Sequence, residues 1–110
     1  MKLFAALRKI RDFQKLQLPF IQSLVDFDII IEIGYAEEEK KPLTPKHLFL
    51  LELGSVTTVR RRLARLIEQG VITRRANAND RRSAFLAMGS SSLKLLGKYG
   101  AVLTAISVRA

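Results

Sequence analysis

The stretch Gly54-Ser55-Val56-Thr57-Thr58-Val59-Arg60-Arg61-Arg62-Leu63 decides how the rest of the chain is read. Gly54 supplies a residue able to take positive φ at the end of one helix, and Ser55 supplies a hydroxyl to cap the next. In that next helix Val56, Val59, Leu63, Leu66 and Ile67 recur at helical spacing and form one apolar face. At about 100° per residue the opposite face carries Thr57, Thr58, Arg61 and Arg65, with Arg60 and Arg62 on the two flanks. Short hydroxyls in the first turn with guanidiniums around them suit a helix whose start meets base edges and whose flanks meet phosphate strands.

Working outward, Thr44-Pro45 starts a preceding helix: threonine caps it, and proline sits at the first helical position, where its missing N–H is harmless. This helix is expected to run through His47, Leu48 and Leu51 to Leu53. On the other side Gly70 ends the arginine helix, Val71 to Arg75 reads as a strand, Asn77-Ala78-Asn79-Asp80 as a turn-rich tip, and Arg81 to Leu86 as the returning strand. Arg74, Arg75, Arg81 and Arg82 border that tip. The whole unit spans residues 44–87.

Charge follows the same map. The net charge is +9, yet residues 18–54 carry seven acidic side chains against three basic ones, while 55–82 carry eight basic against two. All eight of those basic residues are arginine, whereas the other eleven are eight lysines and three arginines. A solvated face has no need of that choice; forked contacts to phosphate or guanine do. No Phe, Tyr or Trp occurs between residues 54 and 84, so the stacking platforms of single-strand binding are missing there.

The flanks are helical or ambiguous. Leu3, Leu7, Ile10, Phe13 and Leu16 make residues 2–16 an amphipathic helix with Lys2, Arg8, Lys9 and Lys15 largely off the stripe. Pro19 marks its end. Residues 20–38 fit two patterns: Val25, Phe27, Ile29, Ile31, Ile33 and Tyr35 alternate as a strand would, and Ile21, Leu24, Asp28, Ile31 and Tyr35 follow a helix. Beyond Gly89, Ser90 to Ser92 offer caps for a last helix, over residues 90–108, in which Leu96, Tyr99, Leu103 and Ile106 repeat as a heptad-like seam. That seam, with Leu3, Leu7 and Ile10, is expected to form a homodimer contact.

Leu43-Thr44-Pro45-Lys46-His47-Leu48, Gly54 to Arg61, Leu66-Ile67-Glu68-Gln69-Gly70-Val71-Ile72 and Asp80-Arg81-Arg82-Ser83 together resemble the winged helix-turn-helix of MarR-type transcriptional regulators. The match covers roughly residues 25–88, and the Asp-Arg-Arg of the wing is its most specific part. The resemblance implies a helix before the motif, hence helix over 20–38, and a mostly α fold with a small antiparallel hairpin of two or three strands. It also implies a dimer on a pseudo-palindromic duplex. Carried over by position, Ser55, Thr57, Thr58 and Arg61 face the major groove. Arg81 or Arg82 reaches the minor groove or its phosphates, and Asp80 orients a wing arginine. Together with Arg60, Arg62, Arg65, Arg74 and Arg75 these form the expected DNA-binding set. About 20 residues follow the wing, where the family usually spends two helices on dimerisation and a ligand pocket, so a small-molecule effector is not part of the expectation.

Length and composition fit a single domain over residues 1–110, with the N-terminal helix in 1–18. The chain has no cysteine and one histidine, His47. It also lacks a Gly-rich phosphate loop and metal-ligand spacing, so no enzyme, metal or cofactor is expected. Charges return at Arg8 and Lys9 before a signal-peptide core forms, and Asp26, Asp28 and Glu32 break the strongest apolar run; a cytoplasmic, non-membrane protein is expected. Sequence-specific duplex DNA binding in transcription regulation is the leading reading. A winged-helix module for RNA, protein or DNA without sequence preference is the alternative.

Overall fold

The computed structural model describes residues 2–80 and 82–109, with side chains as far as residue 105. Five helices and one hairpin follow in order: α1 (Leu3–Gln17), α2 (Leu24–Glu38), α3 (Pro45–Leu50), α4 (Val56–Glu68), β1 (Ile72–Ala76), β2 (Ala84–Met88) and α5 (Ser90–Arg109). The strands pair antiparallel, with Ile72 opposite Met88 and Ala76 opposite Ala84. Leu86 N also donates to Leu43 O at 2.8 Å, tying the segment before α3 to the hairpin's free edge without adding a third strand.

One core lies between α2, α3, α4 and the inner face of the hairpin. Ile29, Ile30 and Ile33 of α2 meet Leu48, Val59, Leu63 and Leu66, and the strands close it with Ile72, Leu86 and Met88. These side chains settle the ambiguity over residues 20–38. A strand would place Ile29 and Ile30 on opposite faces, whereas a helix buries both with Ile33. Ser23 starts α2 by accepting the Asp26 N–H. The strand-like alternation arises because the outer face of α2 is apolar too: Leu24, Ile31 and Tyr35 are exposed.

Three local expectations change. α3 stops at Leu50 rather than Leu53, and the positive φ before α4 belongs to Glu52 (55°), not Gly54, because the end of α3 tightens into turns in which Leu51 N donates to Leu48 O and Glu52 N to Phe49 O. Gly70 does take positive φ, 75°, at the end of α4. The returning strand begins at Ala84, since Asp80 and Asn77 hold the preceding residues in turns. Val56, expected on the apolar face of α4, is 48% exposed because the first turn of that helix extends past the core.

α1 and α5 project beyond this core, giving extents of 50 × 27 × 22 Å. They pack on each other through Phe13 and Tyr99, whose ring centroids lie 5.9 Å apart, and Gln14 Nε2 donates to the Tyr99 hydroxyl at 2.9 Å. Leu96 and Tyr99 of the heptad-like seam are thus used within the chain, while Leu103 stays 39% exposed. The expectation for Ile106 lies outside the side chains described.

Candidate nucleic-acid interface

Ser55 fixes the start of α4. Its Oγ accepts the Thr58 N–H at 3.1 Å and lies 2.9 Å from the Thr58 hydroxyl, so these two side chains are mutual partners. Burial of Val59, Leu63 and Leu66 sets the roll of the helix, which leaves Thr57, Arg60 and Arg61 exposed on the far side. Arg60 stacks over the Phe49 ring at 5.4 Å, so its guanidinium is partly oriented by α3.

Arg62 and Arg65 point elsewhere. Both reach the carboxylate of Asp26, which is wholly buried: Arg62 Nη2 lies 2.9 Å and Arg65 Nη2 3.1 Å from the same oxygen, Oδ2. Gln22 N donates to that oxygen as well, at 2.9 Å. Arg65 also donates to the carbonyl of Phe20 and to Gln69 Oε1. A buried carboxylate needs such donors, and two charged ones offset much of its desolvation cost. The result is a tie between the start of α2 and the second half of α4.

The hairpin divides its arginines by strand period. Arg74 lies on the same face as Ile72 and Leu86 but beyond the core's edge, where it borders an open hollow of about 690 Å³ between the hairpin and the start of α3. Thr44, Lys46, His47, Asp80 and Arg82 also line that hollow. Arg75 takes the opposite face, opposite Phe85 and close to Glu37. The tip is self-supporting: Asn77 accepts the Asn79 N–H and donates to Ser83 Oγ, each at 3.0 Å. Asp80 Oδ1 accepts the Arg82 N–H at 2.9 Å, so this carboxylate orders the backbone of the tip. Arg81 lies outside the described residues.

No protein-family model and no curated protein matches the chain. Among solved structures it is similar to the transcriptional regulator Tm0710 from Thermotoga maritima, at 26% identity over 94% of this chain and 73% of that one, with a TM-score of 0.68. The same fold occurs in the MepR–DNA complex of S. aureus, with 15% identity, 91% and 80% coverage and a TM-score of 0.68. It occurs again in a mutant MarR from E. coli complexed with operator DNA, with 18% identity, 91% and 69% coverage and a TM-score of 0.60.

The chain has the winged-helix fold of these MarR-type regulators.

In this MarR-type frame the expected DNA-binding residues fall into three groups. Thr57, Arg60 and Arg61 stand together on the outer face of α4, with Ser55 and Thr58 at its start. Arg74, Asp80 and Arg82 gather at the hollow, and Arg75 lies on the other face of the hairpin. Arg62 and Arg65 are removed from the exposed face by Asp26. Sequence reasoning missed Lys46, His47 and Thr44 as neighbours of the wing, although Lys46, the one basic residue in the first turn of α3, was a signal that could have found them. It also missed Asp26, whose partners lie 36 and 39 residues further on. Among the described residues no cluster of His, Cys, Asp or Glu is arranged to hold a metal, and no helix is long and apolar enough to cross a membrane.

Proposed function

We propose that this chain is a sequence-specific double-stranded DNA-binding protein that regulates transcription in the cytoplasm as a homodimer. The observation that carries the reading is the exposed Thr57–Arg61 face of α4 set beside a second basic group at the hairpin, with the core behind α4 fixing its roll. Thr57 and Arg61 read base edges in the major groove, where a guanidinium pairs in a forked way with guanine. Arg60, Arg74 and Arg82 hold phosphates, and Lys46 joins them from α3; Arg75 and Arg81 are further backbone contacts of the wing. Ser55 and Thr58 order the helix start, and Asp80 orders the tip that presents Arg82. The similar solved structures, a transcriptional regulator and two complexes with DNA, support the same reading. Binding rather than catalysis is the activity proposed.

Selection of bound duplexes from a random pool tests the proposal. An enriched inverted repeat is expected, and a pool that stays random after repeated rounds overturns sequence specificity. Competition by single-stranded DNA and structured RNA separates the alternative: effective competition by either at moderate salt would favour a general nucleic-acid module.

A further inference from the structure

A buried carboxylate is not a stability device by default, since well-packed apolar side chains in place of such a cluster are often neutral or stabilising. Asp26 is nevertheless wholly buried near the start of α2, and it draws in two of the four arginines of α4. Helical period does not send them there. At about 100° per residue Arg65 lies within about 40° of Arg61 around α4, and Arg62 lies on the flank beside it. Arg65 thus starts on the side of the reading face and is turned back from it.

The contacts that turn it back converge on one atom. Arg62 Nη2, Arg65 Nη2 and Gln22 N all meet Oδ2 of Asp26, while among the described residues Oδ1 accepts no hydrogen bond. Arg65 adds the Phe20 carbonyl. Both arginine side chains remain 20% exposed, at the boundary with solvent and on stems long enough to swing outward once the anion is gone. Contacts to phosphate carry no sequence information and raise affinity for every duplex alike. Two more free guanidiniums per chain would add to that part of the affinity alone.

We infer that Asp26 is a positioning residue for DNA binding: it keeps Arg62 and Arg65 off the phosphate backbone and so limits the affinity that does not depend on sequence. This deepens the DNA-binding reading above and rests on it. It gives the buried charge a task that an apolar side chain of the same volume cannot perform, because only an anion holds two guanidiniums away from a second, larger anion.

Salt-dependent binding to a random duplex, followed by fluorescence anisotropy, tests the assignment. Asp26→Asn keeps the side chain's shape and one acceptor oxygen while removing its charge. Its affinity is expected to rise by at least about threefold at 50 mM salt, with the slope of log K against log salt steeper by about 0.9 for each guanidinium released onto a phosphate. A merely structural role gives the opposite sign, because a loosened α4 binds less well. Asp28→Asn removes an exposed charge from the same helix and is expected to leave the slope unchanged, which controls for net charge. Adding Arg62→Gln and Arg65→Gln to Asp26→Asn is expected to return the slope to that of the wild type. Arg62→Gln in the otherwise native chain is expected to leave the slope unchanged, and a slope shallower by about 0.9 overturns the inference, because Arg62 would then already sit at a phosphate. That arm decides even where circular dichroism finds Asp26→Asn unfolded. A folded Asp26→Asn protein whose affinity and slope match or fall below those of the wild type overturns this inference alone. A wild-type protein that binds no duplex overturns the DNA-binding reading and this inference with it.

Discussion

Arg61 and Arg65 stand about one turn apart on α4, yet Arg61 is exposed while Arg65 is tied to Asp26. Among the described residues Arg61 makes no side-chain hydrogen bond or ion pair, and it is exposed beside Thr57, so Arg61→Ala is expected to cost on the order of 1–3 kcal/mol on a selected site and to flatten base preference. Arg82→Ala is expected to weaken selected and random duplexes alike, and titration of both duplexes with each variant separates the roles. Equal losses on both duplexes for Arg61→Ala would refute base reading. Arg62 and Arg65 act through the fold instead. Removing the buried Asp26 carboxylate leaves two guanidiniums without their anion, and Asp26→Ala is expected to lower stability by about 3 kcal/mol. Urea unfolding measures this; a loss below about 1 kcal/mol would mean that solvent replaces the carboxylate easily at the 20% exposed arginines. The sequence disclosed Arg61 because its place follows from helical period alone. It did not disclose the fate of Arg65, which depends on a carboxylate in another helix.

Between α4, β1 and α5 the backbone comes unusually close. Gly89 N donates to Val71 O at 2.8 Å, and Ser92 Oγ lies 2.9 Å from both Val71 O and Gly89 O. A Cβ on Gly89 would overlap the carbonyl oxygen of Gly70 and come within 3.3 Å of Val71 O. Gly89→Ala therefore forces backbone to move, and is expected to cost more than Gly70→Ala, where only the positive φ is penalised, by about 1–2 kcal/mol. Thermal unfolding of the pair gives the order, and the reverse order would show that the strands shift without cost. α4 and the hairpin were readable from Ser55, Gly70 and the turn residues at 77–80, because caps and turns are local chemistry. The helical state of α2 was not readable from its own residues, since an element that is apolar inside and out satisfies both periods. The resemblance chose correctly, and the burial of Ile29, Ile30 and Ile33 gives the physical reason.

At the scale of the molecule, charge is separated: the acidic segment 18–54 supplies α2, and the arginines gather on α4 and the hairpin. Neutralising six or more phosphates, as the proposed homodimer would, is expected to make affinity fall by roughly a thousandfold or more between 50 and 200 mM salt. A shallow dependence in fluorescence anisotropy would mean that few of these arginines touch the backbone. The whole-molecule contact surfaces were least visible in the sequence, because the same stripe reads alike whether α5 or another copy covers it. The meeting of Gly70, Val71, Gly89 and Ser92 has its consequence at this scale. It joins the reading head to the long arm of α1 and α5 through close backbone contacts, so in the proposed homodimer the pair acts as a caliper whose jaw opening is set at that joint. Loosening that joint, as Ser92→Gly would, is expected to leave the preferred half-site unchanged while the spacing between enriched half-sites broadens in duplex selection.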